Sequence, residues 1–138
     1  DRFRRRSAGS TGALLRQASL YVGVDTSATH VAAAVGIKTI ALFGPGLISR
    51  WGPAPNRGHR RYSDIAVLQR SNCVTILQNP SMADCRQCRR GHLTRCPRSA
   101  DASLALCLQT FSTDVVVNEV HRQLECATTN QVADSVAA

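Results

Sequence analysis

The chain has 138 residues and a net charge of +8, and these bulk properties exclude several classes of protein. Hydrophobic residues make up 43% and charged residues 19%, which is typical of a globular chain rather than a disordered one. The positive charge favours anionic partners: nucleotide, phosphorylated glycolipid, membrane headgroups or nucleic acid. Aromatic residues make up only 4%, so the stacking platforms of single-strand nucleic-acid binders are scarce. No apolar stretch approaches the length of a membrane span, and no secretory signal is visible.

The N-terminal part predicts an arginine-rich solvated terminus followed by a short helix. Residues 1–6 carry four arginines, and Ser10-Thr11 is a plausible helix start. The helix is expected over residues 13–18, with Leu14 and Leu15 turned inward. Because the chain begins at Asp1 without methionine, we expect a fragment of a longer protein.

The stretch from residue 20 to residue 46 predicts a βαβ unit with parallel strands. Leu20–Val24 is a short apolar run that suits a buried strand. Residues 30–35 are rich in alanine and predict a helix that stops at Gly36. A second apolar run over 39–43 ends at a Gly-Pro-Gly turn. A strand, a crossover helix and a second strand in so short a segment make a compact unit with parallel strands.

The turn after the first predicted strand is the candidate ligand site, because ligands of open α/β sheets sit at the carboxyl ends of strands. Asp25, Thr26 and Ser27 lie there, at a helix N-terminus whose amides and dipole can hold a phosphate. Thr26 and Ser27 can donate to phosphate oxygens, and His30 can donate one turn further along. Asp25 would order the turn or accept from a ligand hydroxyl. The alternative is an ordinary capped helix with an ordinary histidine.

The segment DTSATHVAAAVGIKTIALFGP resembles the donor-binding segment of the heptosyltransferases, the ADP-heptose:lipopolysaccharide glycosyltransferase family. Asp25, Thr26, His30 and Gly36 match that family, as do the alanine-rich helix and the Gly-Pro turn. Ser27 departs, since glycine is usual there; serine would be strained if the backbone needed a positive φ, but it keeps the amide. The resemblance continues with a Cys-x-x-Cys, a Cys-Leu and a Thr-Asp-Val that opens a final helix.

This resemblance implies a Rossmann-like α/β fold, the C-terminal, donor-binding half of a GT-B type inverting glycosyltransferase. Residues 1–125 would form the partial nucleotide-sugar-binding domain, and residues 126–138 a flexible tail. The family's reaction moves heptose from ADP-heptose to a lipopolysaccharide core acceptor, so the partners would be a nucleotide-sugar and an anionic glycolipid. No cofactor is required, no nucleic acid is expected, and no catalytic base can be named in this chain. The expected location is cytoplasmic, with peripheral contact at the inner membrane.

The long connection after the second predicted strand is rich in glycine, proline and arginine, as functional loops often are. Arg50 is a candidate phosphate contact within it. Trp51 is expected to cap the core beneath the loop rather than to face a ligand. Further strands are predicted over residues 62–69 and 74–77.

A cysteine segment over residues 84–107 leaves several chemistries open. Cys85, Cys88, Cys96 and Cys107 could encircle a structural zinc ion, but only one Cys-x-x-Cys knuckle is present. Reduced buried thiols are an equal alternative, a disulfide is less favoured, and an iron–sulfur site also competes. The same segment motivates two other functions: a zinc-ribbon nucleic-acid-binding module, and a redox protein that uses Cys85 and Cys88.

The last predicted element is a helix capped by the Ser-Thr-Asp sequence over residues 112–114. Its apolar stripe is expected to consist of Val116, Val117, Val120 and Leu124. Glu119, Arg122 and Gln123 are expected on the outer face.

Overall fold

The structure is a computed structural model that describes residues 8–44, 46–55, 62–63, 68–78, 96, 99, 105–109 and 111–136. In chain order the elements are α1 (Ala8–Leu15), β1 (Leu20–Val24), α2 (Ser27–Val35), β2 (Lys38–Phe43), α3 (Ile48–Trp51), β3 (Leu68–Ser71), β4 (Val74–Gln78), α4 (Leu106–Gln109) and α5 (Thr113–Val136).

The described strands form one sheet in the order β1-β2-β4-β3. β1 pairs with β2 and β2 with β4 in parallel, whereas β3 pairs antiparallel with β4. The fold is therefore mixed α/β with a mostly parallel sheet, which is compatible with the predicted Rossmann-like class. The parallel pair β1–β2 and its crossover helix confirm the predicted βαβ unit.

The boundaries of that unit follow from its sequence. β1 has the predicted bounds, and β2 begins one residue earlier than predicted, at Lys38. α2 begins at Ser27 rather than at residue 30, because Thr26 already takes the N-cap position. α2 ends where predicted: Gly36 adopts a left-handed backbone with φ of 87°, and its amide donates to the Ala33 carbonyl.

One face of the sheet carries the main apolar core. In the parallel registers, alternate residues of β2 and β4 point to the side on which α2 lies. They pack against side chains from α2 and α3, and the cluster comprises Ala33, Ala41, Phe43, Ile48, Val74 and Ile76. This core fixes α2 and α3 on the same side of the sheet, and it holds the carboxyl ends of the strands in place between them.

The other face meets α5 through polar rather than purely apolar side chains. Glu119 and Gln123 are 4% and 6% exposed, whereas Val117 and Leu124 are 41% and 40% exposed. The prediction that Glu119 and Gln123 lie on the outer face is therefore wrong, and two members of the predicted stripe face solvent. The cause is a hydrogen-bonded network in which Glu119 accepts from Thr75 of β4 at 2.9 Å, so the helix turns its polar residues inward.

Two other predictions, for α1 and the third strand, are corrected. α1 runs from Ala8 to Leu15, earlier than residues 13–18, and Leu14 is 53% exposed rather than turned inward. The third strand covers Leu68–Ser71 where residues 62–69 were predicted: residues 62 and 63 are not in a strand. Asn72 takes a positive φ in the turn that joins β3 to β4 as a hairpin. α5 continues as helix to Val136 through the segment predicted as a tail, whose flexibility stays a prediction.

The left-handed residue at the end of α2 gives a testable asymmetry between two glycines. Gly36→Ala should destabilise the fold by about 1 kcal/mol, because an L side chain is strained at positive φ. Gly12→Ala is the matched control inside α1. There a Cβ would make ordinary contacts of 3.5 Å and 3.6 Å with Val35 and Val31, and alanine is the better helix former. Urea unfolding of the two variants should move the midpoint down for Gly36→Ala and not down for Gly12→Ala; equal shifts would contradict this account.

Among the described residues, no helix combines the length and the apolar character needed to cross a membrane.

Candidate functional site

The candidate site lies where three parallel strands reach the same edge of the sheet. Asp25 follows β1, Gly44 follows β2, and Gln78 is the last residue of β4. The carboxyl ends of parallel strands are the usual place for ligands in an open α/β sheet. This edge also contains the N-terminus of α2, so the predicted turn and the strand ends form one region.

The N-terminus of α2 presents backbone amides outward. Thr26 is the N-cap with an extended backbone, φ −145° and ψ 166°. The first helical bonds run from the amides of Thr29 and His30 to the Thr26 carbonyl, at 3.1 Å and 3.4 Å. The amides of Ser27 and Ala28 precede those bonds, so they are the outward-facing donors of the first turn. Together with the helix dipole they can hold an anion.

Serine is compatible with the backbone at position 27. The only described non-glycine residue with a positive φ is Asn72, so Ser27 is unstrained as the first residue of α2. The position therefore does not require a left-handed backbone, and serine adds a hydroxyl at the same point.

Thr29 anchors this turn, and sequence reasoning missed it. Its side chain is fully buried, and its hydroxyl donates to the carbonyl of Val24, the last residue of β1. The same hydroxyl lies 3.3 Å from the Tyr21 phenol oxygen, and the Tyr21 ring folds over Gly23, where a Cβ would clash with it. The only signal in the sequence is a threonine one position before the histidine, which is too weak to identify an anchor.

Thr26 does not use its side chain as a cap. Its hydroxyl lies 3.4 Å from the Thr29 hydroxyl, and it makes no side-chain hydrogen bond to a helix amide. The expectation that Thr26 lies at the helix start is thus confirmed, whereas a capping side chain is not found. Thr26 as a whole is an exposed residue at the edge of the sheet.

Asp25 and His30 form a partly exposed pair across the start of α2. His30 Nε2 lies 3.6 Å from Asp25 Oδ1, and the two side chains are 43% and 39% exposed. This distance is too long for a hydrogen bond but close enough for an electrostatic attraction when the imidazole is protonated. Asp25 also approaches the turn after β2. If Gly46 carried a side chain, its Cβ would lie 3.6 Å from Asp25 Oδ2. Asp25 therefore lies between α2 and that turn, and its role in ordering the site stays a prediction.

Comparison with protein-family models matches residues 7–82 to glycosyltransferase family 9 (heptosyltransferase), more than half of the chain. The chain belongs to glycosyltransferase family 9. No curated protein and no solved structure matches it. Membership of the heptosyltransferase family confirms the predicted resemblance and supports glycosyltransferase activity; it gives no support to the zinc-ribbon alternative.

The family 9 match covers the βαβ unit and the sheet but ends before the cysteine segment and α5. Asp25, Thr26, Ser27, His30 and Arg50 therefore all lie in the matched part. The similarity predicted for the later cysteines and for the last helix stays a prediction.

Arg50 and Trp51 lie on α3, which follows the turn after β2. The Arg50 guanidinium carbon lies 5.2 Å from the centroid of the Trp51 ring, a cation–π distance. Trp51 is 54% exposed, so the prediction that it caps the core is wrong; Ile48 of the same helix is the buried residue instead. A phosphate contact by Arg50 stays a prediction.

The cysteine predictions fall partly outside the described residues. Cys85 and Cys88 lie outside the described residues. Cys107 is buried in α4 beside Gly44: if Gly44 carried a side chain, its Cβ would lie 3.2 Å from the Cys107 sulfur. Within the described ranges no group of three metal-ligating side chains occurs. Structural zinc, reduced thiols and a disulfide therefore all stay predictions for this segment.

Proposed function

We propose that this chain is the donor-binding part of a two-domain, GT-B type inverting glycosyltransferase that uses a nucleotide-sugar such as ADP-heptose. The acceptor would be the lipopolysaccharide core, an anionic glycolipid, in keeping with the chain's net charge of +8. The corresponding location is the cytoplasmic side of the inner membrane, with peripheral contact.

The observation that carries this proposal is the N-terminus of α2 within the residues matched by family 9. The amides of Ser27 and Ala28, which precede the first helical bonds, and the hydroxyls of the exposed residues Thr26 and Ser27 are donors suited to a diphosphate. His30 stands beside them with a partly exposed ring that can donate a further hydrogen bond. Asp25 would accept from a sugar or ribose hydroxyl rather than contact the phosphates, because like charges repel.

In this proposal the chain assists departure of the nucleoside diphosphate. The acceptor hydroxyl oxygen attacks the anomeric carbon as the bond from that carbon to the diphosphate oxygen breaks, so the configuration inverts. The acceptor proton passes to a base that lies outside this chain. Negative charge develops on the leaving diphosphate, and the α2 amides and dipole are already oriented to stabilise it. With these groups and Arg50 on the phosphates, the reaction requires no cofactor.

The experiment that tests the proposal separates donor binding from transfer. Calorimetric titration should detect binding of ADP to the chain. Incubation of the same chain with ADP-heptose and a lipopolysaccharide core acceptor should give no transfer, because the acceptor site and the base belong to the other domain. Absence of ADP binding at millimolar concentration would overturn the donor site, and measurable turnover by the chain alone would overturn the two-domain account.

A further inference from the structure

Gln78 is a buried amide at the edge of the sheet that contains the proposed donor site. It is the last residue of β4 and is 3% exposed. Its Nε2 donates to two backbone carbonyls, to Gly44 at 2.9 Å and to Gly46 at 3.0 Å. These two glycines belong to the turn between β2 and α3, so one side chain holds two points of the turn.

The chemistry of the contacts fixes the orientation of the amide. Both partners are carbonyl oxygens, which only accept, so the nitrogen of Gln78 must face them. The Oε1 atom then points away from the turn, and it is buried with no donor among the described residues. Both side-chain hydrogen bonds of this buried amide therefore go to the turn after β2.

The clamped turn lies close to Asp25, one of the proposed donor residues. Gly46 is the point at which the turn approaches Asp25, whose Oδ2 lies 3.6 Å from a Cβ built there. Asp25 in turn lies 3.6 Å from His30 at the start of α2. The same turn leads directly into α3, which carries Arg50 and the exposed Trp51.

We propose that Gln78 is a positioning residue for donor binding: it clamps the Gly44–Gly46 turn and thereby sets the positions of Asp25 and of α3. This inference rests on the proposed function for its link to the donor. Gln78 itself contacts no ligand, since its side chain is closed off from solvent. Its effect reaches the ligand through the turn, on which both Asp25 and α3 depend.

The test replaces Gln78 without changing its length or shape. Gln78→Met keeps an unbranched side chain of similar size and removes the two hydrogen bonds. Affinity for ADP should fall roughly tenfold in calorimetric titration, because small displacements of positioning groups are costly. Gln78→Leu should give the same result and serves as the second variant if the first folds poorly. Gln123→Met is the matched control: that glutamine is also buried and hydrogen-bonded, but it lies between α5 and β4 near Thr75.

Trp51 gives a second readout that does not depend on the donor. It is the chain's single tryptophan, and it lies on the helix that follows the clamped turn. Loss of the clamp should shift its fluorescence and increase its quenching by acrylamide. Gln123→Met should lower the melting temperature while changing neither Trp51 fluorescence nor ADP affinity. A purely structural role of Gln78 would lower the melting temperature in the same way, with those two readouts unchanged.

The outcomes separate this inference from the proposed function. Unchanged ADP affinity in both Gln78 variants, with reduced affinity in His30→Ala, would overturn the role of Gln78 and leave the donor site standing. No ADP binding by the unsubstituted chain would overturn the proposed function instead. Trp51 fluorescence would then still test whether Gln78 clamps the Gly44–Gly46 turn. An unchanged signal in Gln78→Met would overturn that role.

Discussion

Glu119→Ala should destabilise the fold by about 3 kcal/mol, because it removes the acceptor at the centre of a buried hydrogen-bond network. Glu119 accepts from Arg122 at 2.6 Å and 2.9 Å, and from Arg70 at 2.7 Å and 3.3 Å. Thr75 also donates to it, and the Gln123 amide bonds to Thr75 at 2.7 Å. The network joins α5 to β3 and β4, so its loss should loosen the helix from the sheet.

The exposure of the partners limits the size of this effect. The Glu119 side chain is 4% exposed, whereas the Arg70 and Arg122 side chains are 46% and 43% exposed. Without the carboxylate, the guanidinium groups can turn to solvent, but Thr75 and Gln123 remain buried with fewer partners. The cost therefore comes mainly from the buried polar groups and lies toward the lower end of the range for a broken buried ion pair.

The same network predicts a dependence of stability on pH. Burial alone would raise the pKa of Glu119. Hydrogen bonds from Arg122 and Arg70, followed by those from Thr75 and Gln123, outweigh the effect of burial and hold this pKa well below its usual range. A carboxyl whose folded pKa is depressed stabilises the fold above its unfolded pKa and loses that contribution as the pH falls. We therefore expect the contribution of Glu119 to be complete at neutral pH and to decrease below about pH 4.

Urea unfolding at pH 7 and pH 3 checks both expectations. Stability should fall between these two pH values in the unsubstituted chain, and it should fall less in Glu119→Gln, which has no carboxyl at this position. Glu125→Ala is the control on the same helix: that glutamate is exposed, so its replacement should change stability by less than about 0.5 kcal/mol. A loss in Glu119→Ala no larger than in Glu125→Ala would contradict the role of the network.

The inward position of Glu119 is an example of what the sequence could not predict. Valines and leucine at helical spacing predicted an apolar stripe on α5, because burial of apolar surface is the usual driving force. The structure buries Glu119 and Gln123 because Thr75 and Arg70 lie beneath them on the sheet. Those partners are more than forty residues away along the chain, so no local pattern reveals the pairing. Local signals were sufficient only where the partners are near in sequence.

The βαβ unit is such a case. β1 and the end of α2 were predictable because an apolar run, an alanine-rich stretch and Gly36 each act within a few residues. The position of the candidate site followed from the same signals, since the turn after a parallel strand is defined by the strand itself. Gln78 was not predictable, because its role depends on the carbonyls of Gly44 and Gly46, which only the folded chain brings within reach. Thr29 was missed although its partner Val24 is near in sequence, because a single threonine in the first turn of a helix is too weak a signal.

His30→Ala should weaken ADP binding roughly tenfold to a hundredfold while changing stability little. One lost hydrogen bond to a charged group is worth about 1.5–3 kcal/mol, which corresponds to that change in affinity. The ring of His30 is 43% exposed, so its removal leaves no large cavity. Asp25→Ala should also weaken binding, because Asp25 lies between His30 and the Gly46 turn. Its own effect on stability should stay below about 1 kcal/mol, since Thr26 and not Asp25 is the N-cap of α2.

Calorimetric titration with ADP beside a thermal melt of each variant decides between a ligand-binding and a structural histidine. A histidine that served the fold would give the opposite pattern, a lowered melting temperature with intact affinity. His121→Ala is the matched control, because His121 is an exposed histidine on α5 and lies two residues from Gln123, whose carbonyl accepts from Lys38 at the start of β2. Its loss should change neither quantity. If ADP affinity is unchanged in His30→Ala, His30 is not part of the site. If it is unchanged in Asp25→Ala as well, the N-terminus of α2 does not bind the donor.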